Sequence, residues 1–159
     1  MTTGEYNQSV DLYSDRLYRF ILKSLNDIQK AEDIVQDSYE KLWRNVENVN
    51  FDKVRSYLFT TAYHTMIDRL RKDKRSIPSK KLPETSHENS YSDLEEILQE
   101  AVNRLPDIQR MVILLRDYEG YSYKEIGELT SLTESQVKVY IYRARIFLKN
   151  YIGKIEVVI

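Results

Sequence analysis

Residues 76–92, SIPSKKLPETSHENSYS, constrain the fold more than any other stretch. They hold two of the three prolines and five serines. Their only large apolar residues, Ile77, Leu82 and Tyr91, follow no period. Such a segment reads as a flexible linker. It separates an N-terminal domain, 1–75, from a C-terminal domain, 93–159, each near the lower end of domain size. On both sides the apolar residues recur at spacings of three and four, and glycine (4) and proline (3) are scarce. Tight turns of the kind an all-β fold needs are therefore few. The chain reads as all-α, two small helical domains joined by a linker.

In the N-terminal domain Val10, Tyr13, Leu17, Phe20, Ile21 and Leu25 form one stripe, predicting a helix from about Tyr6 to Leu25. Ala31, Ile34, Val35, Ser38, Tyr39, Leu42 and Trp43 predict a second, from about Lys30 to Asn45, with Trp43 read as core before interface. Val54, Tyr57, Leu58, Thr61, Ala62, Met66, Ile67 and Leu70 predict a third, from about Asp52 to Lys74. Three amphipathic helices with short connections make a small bundle. In the C-terminal domain, Ser92 with Glu95, Ser122 with Glu125 and Thr133 with Gln136 are capping-box pairs that open helices. The first helix is expected to bury Leu94, Ile97, Leu98, Ala101 and Val102. Pro106 suits the first turn of the next, and Gly120 suits the position just past its C-cap. The last helix is expected to end near Tyr151, with Val137, Ile141, Ala144 and Leu148 as its core stripe.

The last two helices, 122–129 and about 134–151, have helix-turn-helix spacing, with Leu132 to plug the corner. The face of the last helix left free by its core stripe carries Ser135, Lys138, Val139, Tyr142, Arg145 and Lys149, with Arg143 at the flank. Basic residues interleaved with tyrosine suit a major groove and its phosphates, although a basic face can also be merely solvated. The end of the third helix is basic too, with Arg69, Arg71, Lys72, Lys74 and Arg75; upstream lie Tyr57, Phe59, Tyr63 and His64. Aromatics beside a basic track could stack unpaired bases, or could be core. The second helix is acidic, with Glu32, Asp33, Gln36, Asp37 and Glu40. It disfavours nucleic acid and is either solvated or a protein-docking surface.

Global composition excludes several classes. Lys plus Arg is 24 and Asp plus Glu 25, so net charge points to no partner and only its distribution can. With no cysteine there is no disulfide framework, thiolate metal site or Cys nucleophile, and two histidines make a His-rich metal site unexpected. No Gly-rich phosphate loop appears. The start, MTTGEYNQSV, lacks a basic region followed by an apolar run, and no 18-residue apolar stretch occurs. A soluble cytoplasmic protein without metal, cofactor or catalytic residues is expected.

The segment Ala31-Glu32-Asp33-Ile34-Val35-Gln36-Asp37, followed by Lys41-Leu42-Trp43, resembles the polymerase-binding segment of extracytoplasmic-function (ECF) sigma factors. Leu105-Pro106 with Gln109-Arg110, then Glu119-Gly120-Tyr121-Ser122-Tyr123-Lys124-Glu125-Ile126, resembles the start of their fourth conserved domain. Val137-Lys138 and Tyr142-Arg143-Ala144-Arg145 resemble their promoter-reading helix. The resemblance spans nearly the whole chain, in the right order. It implies a sigma-2 domain (1–75), a linker (76–92) and a sigma-4 domain (93–159). It implies core RNA polymerase (β′ and β subunits), promoter DNA and an anti-sigma protein, often membrane-anchored, as partners.

By that resemblance, Asp33, Gln36, Asp37 and Glu40 face the polymerase. Arg116, Tyr123, Ser135, Gln136, Lys138, Val139, Tyr142, Arg143 and Arg145 serve the −35 element. Asn48, Asn50, Phe51, Tyr63, His64, Arg69, Arg71 and Lys72 serve −10 binding and melting, with loop 46–51 holding a flipped base. His64 stands where the family commonly has Asn; both can donate and accept a hydrogen bond, but His is larger and titratable. Two other readings compete. A stand-alone helix-turn-helix regulator would not need both an acidic second helix and a basic, aromatic third one. A nuclease built on Asp27, Glu32, Asp33 and Asp37 would lack companion ligands.

Overall fold

The computed structural model describes residues 1–75 and 93–158, with side chains described for all but 75, 93 and 155–158. The expected linker, 76–92, and the capping box at Ser92 lie outside the described residues. Seven α-helices and one 3-10 turn are present, with no strand among the described residues. In chain order they are α1 (Thr3–Leu25), α2 (Ile28–Arg44), the 3-10 turn Phe51–Lys53, α3 (Val54–Arg75), α4 (Asp93–Asn103), α5 (Asp107–Asp117), α6 (Tyr123–Thr130) and α7 (Glu134–Val158). The all-α expectation holds. No helix among the described residues is long and apolar enough to cross a membrane.

The helix ends differ from the expected ones where local side chains intervene. α1 starts at Thr3 because Thr2 and Glu5 close a capping box, two reciprocal bonds of 3.1 and 2.9 Å. α2 starts at Ile28 because the Asp27 carboxylate accepts from the Lys30 N–H. Pro106 is the N-cap of α5 rather than a first-turn residue. Gly120 lies two residues past the C-cap Tyr118, at φ 75°, and carries the reversal that returns the Tyr121 N–H to the Leu115 carbonyl. Leu94, expected in the core, is 67 % exposed. The buried stripe of α4 is centred on Ala101 and Val102, because only its C-terminal half packs against a neighbour deep enough to cover it. α7 continues to Val158 rather than stopping near Tyr151.

α1, α2 and α3 form the N-terminal bundle around Leu17, Ile21, Ile34, Leu42, Leu58 and Met66, all fully buried. α4 to α7 form the second bundle around Met111, Leu114, Leu115, Ile126 and Ile141. The two bundles share one continuous apolar core. Phe59 on α3 is its bridge: the ring packs 5.3 Å from Phe20 and 5.9 Å, edge-on, from Tyr121 of the second bundle.

Polar contacts follow the same seam. Arg110 on α5 is 7 % exposed. It donates to the Ser24 carbonyl (2.6 Å), the Leu105 carbonyl (2.8 Å) and the Asp107 carboxylate (2.8 Å). Ser24 lies in the last turn of α1, whose carbonyls have no partner within the helix and whose dipole favours a cation. Burial raises the pKa of the Asp107 carboxyl, but hydrogen bonds from Arg110 and from Lys74 of α3 outweigh it, and the net value is lowered. A lowered folded-state value means this stabilisation is present above the ordinary aspartate value of 3.8 and is lost as pH falls through the lower folded value. Asp107→Asn is therefore expected to flatten the acid limb of stability below about pH 4. Urea midpoints of both proteins between pH 5 and pH 2 measure it; parallel profiles would show that Asp107 does not carry that sensitivity.

Candidate nucleic-acid interface

The helix-turn-helix is built from two capping boxes and one close approach. Ser122 and Glu125 exchange bonds of 3.1 and 2.9 Å to start α6. Ser131 ends α6 in the left-handed region at φ 61°. The Leu132 N–H then bonds back to the Gly127 carbonyl at 3.1 Å. Thr133 and Gln136 repeat the box and start α7. Gly127 is the contact point of the corner, since a Cβ there would lie 2.9 Å from the Leu132 carbonyl oxygen. The sequence reading did not single this glycine out. Its signal was a glycine inside a short helix just before a turn.

Val137, Ile141 and Ala144 are buried on the inner face of α7, as expected, and Leu148 is partly buried. The outer face presents Ser135, Gln136, Lys138, Val139, Tyr142, Arg143, Arg145 and Lys149 to solvent. Tyr142 is 67 % exposed, and nothing within the chain needs so large an exposed ring. Arg116 stacks over the Tyr123 ring at 4.6 Å and donates to the Tyr121 carbonyl at 2.9 Å, which holds its guanidinium beside the groove. Tyr123, Lys138, Val139, Tyr142 and Arg145 line one open concavity there. Arg145 pairs with Asp117 at 3.0 Å, and that bond raises the arginine's pKa. Lys138 lies 3.6 Å from Glu134. Both pairs are solvated, and pairs of that kind hold a side chain in place at little free-energy cost to release. Gln136 uses its side-chain oxygen in the capping box.

The N-terminal bundle is less open. Asn48 and Asn50 are exposed in the loop before α3, and Phe51 is half-buried. Arg71 and Lys72 are exposed; Arg69 is bonded to Asp37 of α2. Tyr63 is only 3 % exposed, so its expected stacking on a base does not fit this packing. It shares the inner face of α3 with Phe59, Ala62 and Met66. His64 is half-buried, and its Nε2 lies 3.1 Å from the Leu129 carbonyl of α6. On α2, Asp33, Gln36 and Glu40 point to solvent and Asp37 is half-exposed. Trp43, expected as core, is 50 % exposed at the end of that acidic helix, held edge-on against Tyr6 at 5.1 Å.

Residues 10–76 match the family described as Sigma-70 region 2, and residues 95–148 match Sigma-70, region 4. RNA polymerase sigma factor SigV of Bacillus subtilis is 33 % identical, with 80 % of this chain and 78 % of that protein covered. This chain is an ECF RNA polymerase sigma factor. ECF RNA polymerase sigma factor SigM of Bacillus subtilis is 28 % identical over 94 % of each chain. The sigma factor RpoE, solved in complex with the anti-sigma factor NepR from Bartonella quintana, superposes with a TM-score of 0.73 at 26 % identity, covering 93 % of this chain and 96 % of that one. The region 2 match falls on α1–α3 and the region 4 match on α4 to the first half of α7. The sigma factor thus directs promoter-specific transcription initiation, and the stand-alone regulator is set aside, since such a regulator has no reason to carry a region 2.

In the sigma factor's helix-turn-helix, Gly127→Ala tests the corner. Helix propensity alone would favour alanine by about 1 kcal/mol. Collision with a backbone oxygen is the larger effect, since overpacking costs about 1–3 kcal/mol. A net loss of about 1 kcal/mol or more is expected in urea unfolding; a stabilised variant would show that the corner relaxes freely.

Proposed function

We propose that the sigma factor reads the −35 element with the outer face of α7 and engages the −10 strand with loop 46–51 and α3. In this reading its sigma-2 domain is 1–75, its linker 76–92 and its sigma-4 domain 93–159. The observation that carries it is the exposed row of Lys138, Val139, Tyr142, Arg143 and Arg145 on a helix whose opposite side is locked into the core. Side chains on a rigid helix reach base edges with small positional error, while Arg116 and Tyr123 flank them at phosphate distance from the same groove. Val139 offers an apolar surface to a thymine methyl.

Melting proceeds without nucleotide hydrolysis, so binding must favour unpaired over paired bases. Asn48 and Asn50 offer amides to a base edge, and His64 offers a ring and a hydrogen bond. Arg69, Arg71 and Lys72 form the backbone track. The acidic face of α2, Asp33, Gln36, Asp37 and Glu40, docks the β′ subunit of core polymerase through charge complementarity, with Trp43 as an apolar anchor at its edge. The solved relative was captured with an anti-sigma factor. A protein of that kind, membrane-anchored or free, is the partner expected to mask these surfaces in this sigma factor. Catalysis belongs to the polymerase.

Two measurements test the two faces separately. Lys138→Ala and Arg145→Ala are each expected to weaken duplex −35 binding. A lost phosphate contact lowers the salt slope by about 1, and a lost base contact costs about 1–3 kcal/mol and relaxes one position. Unchanged affinity in both would mean that α7 is not the reading helix. Asp33→Lys with Asp37→Lys is expected to abolish core-polymerase binding while leaving duplex −35 binding intact. If core affinity survives that charge reversal, the docking face lies elsewhere.

A further inference from the structure

Glu119 is the least expected residue of the fold. It sits in the turn between α5 and α6 and is 8 % exposed, although it carries a charge. Both its ion-pair partners come from the other bundle. Arg16 of α1 reaches its carboxylate with Nε at 3.1 Å, and Arg55 of α3 with Nη2 at 3.4 Å. The same Arg55 nitrogen donates to the Glu119 carbonyl at 2.7 Å, and its guanidinium lies 4.6 Å over the Tyr121 ring. None of these groups is used by the −35, −10 or polymerase faces.

The consequence for the −10 face is direct. The contact that Glu119 anchors continues along α3 to α6, and there His64 is spent on the Leu129 carbonyl. A strand cannot reach that side of His64 while α6 is in place. Geometry adds a second bar. Elements centred at −35 and −10 lie about 25 base pairs apart, roughly 85 Å at about 3.4 Å per pair. With α3 and α6 in hydrogen-bond contact the two readers cannot span that distance.

We propose that this packing is an autoinhibited state of the free sigma factor, latched by Glu119 between Arg16 and Arg55. The outer face of α7 stays open in it, while the −10 face is closed. The latch is built to be left. Its Arg55 Nε is buried without a hydrogen-bond partner among the described residues, which costs free energy that opening returns. The proposal rests on assigning His64 and its neighbours to the −10 strand.

The test uses the full chain, which contains no cysteine and so accepts a label pair at Lys53→Cys on the N-terminal bundle and Glu128→Cys on α6. Spin-label distances are recorded for this pair alone, with Glu119→Arg, and with Glu119→Arg, Arg16→Glu and Arg55→Glu together. A short distance is expected first, a longer and broader one with Glu119→Arg, and the short one again in the charge-swapped protein. Circular dichroism reports whether each variant is folded, and the charge swap separates a broken latch from a broken fold. Affinity for a fluorescein-labelled, mixed-sequence 12-nucleotide single strand is measured in parallel. A protein open about a tenth of the time binds about tenfold more weakly than an open one, so Glu119→Arg is expected to gain about that factor. A Glu119→Arg protein that keeps the short distance overturns the latch. One that opens with no gain in affinity, while wild-type holoenzyme binds the strand, overturns the inhibition. Failure of the wild-type holoenzyme itself to bind single strand overturns the −10 assignment instead, and the inhibition with it.

Discussion

A guanidinium taken out of water must have its donors satisfied, or the fold does not tolerate it. Arg110 meets that condition with three acceptors drawn from three places: the last turn of α1, the end of the loop after α4, and its own first turn at Asp107. Each of those acceptors is thereby fixed relative to the others. The α4–α5 corner is set, α5 is seated on the C-terminal end of α1, and Lys74 is drawn onto Asp107 from the end of α3. The aromatic bridge of Phe20, Phe59 and Tyr121 lies in the same seam and supplies its apolar area. The second bundle owes its place against the first to this pairing of one buried cation with a helix terminus.

The two nucleic-acid faces stand in different states because of where they lie relative to that seam. α7 has its apolar stripe against α5 and α6 and its basic stripe directed away from the first bundle, so its reading face is open. α3 lies in the seam. Its aromatic residues pack inward, and His64 meets α6. A sigma factor in this form presents a −35 reader and a polymerase-docking helix but withholds its −10 reader. The Arg69–Asp37 pair ties that reader to the acidic docking helix, so the polymerase and the −10 strand compete for side chains already bonded to each other.

Much of this was legible beforehand. Three-and-four spacing marked every helix, because a helix that buries one face must repeat its apolar residues at that period. The capping boxes at Ser122 and Thr133 marked both helix starts of the helix-turn-helix, because the bonds involved join residues three apart and need nothing from the rest of the chain. The outer face of α7 followed by subtraction of its inner stripe. The errors share one cause. Leu94, Trp43 and Tyr63 all lie on helices whose period is clear, but period does not say which neighbour arrives or how far along the helix its cover extends. Leu94 lies beyond that cover, Trp43 at its margin, and Tyr63 within it.

From its sequence alone this chain determined its helices, their caps, the basic and acidic faces and the membership that those motifs reveal, since all of these rest on residues at most a few turns apart. Only the tertiary structure decided that Glu119 is buried, that Arg110 crosses to Ser24, that Gly127 must be small and that His64 faces a carbonyl. Those are contacts between residues tens of positions apart or between backbone atoms whose approach no local pattern encodes. Charge in a sequence has a sign but no address; packing the two bundles together supplies the address.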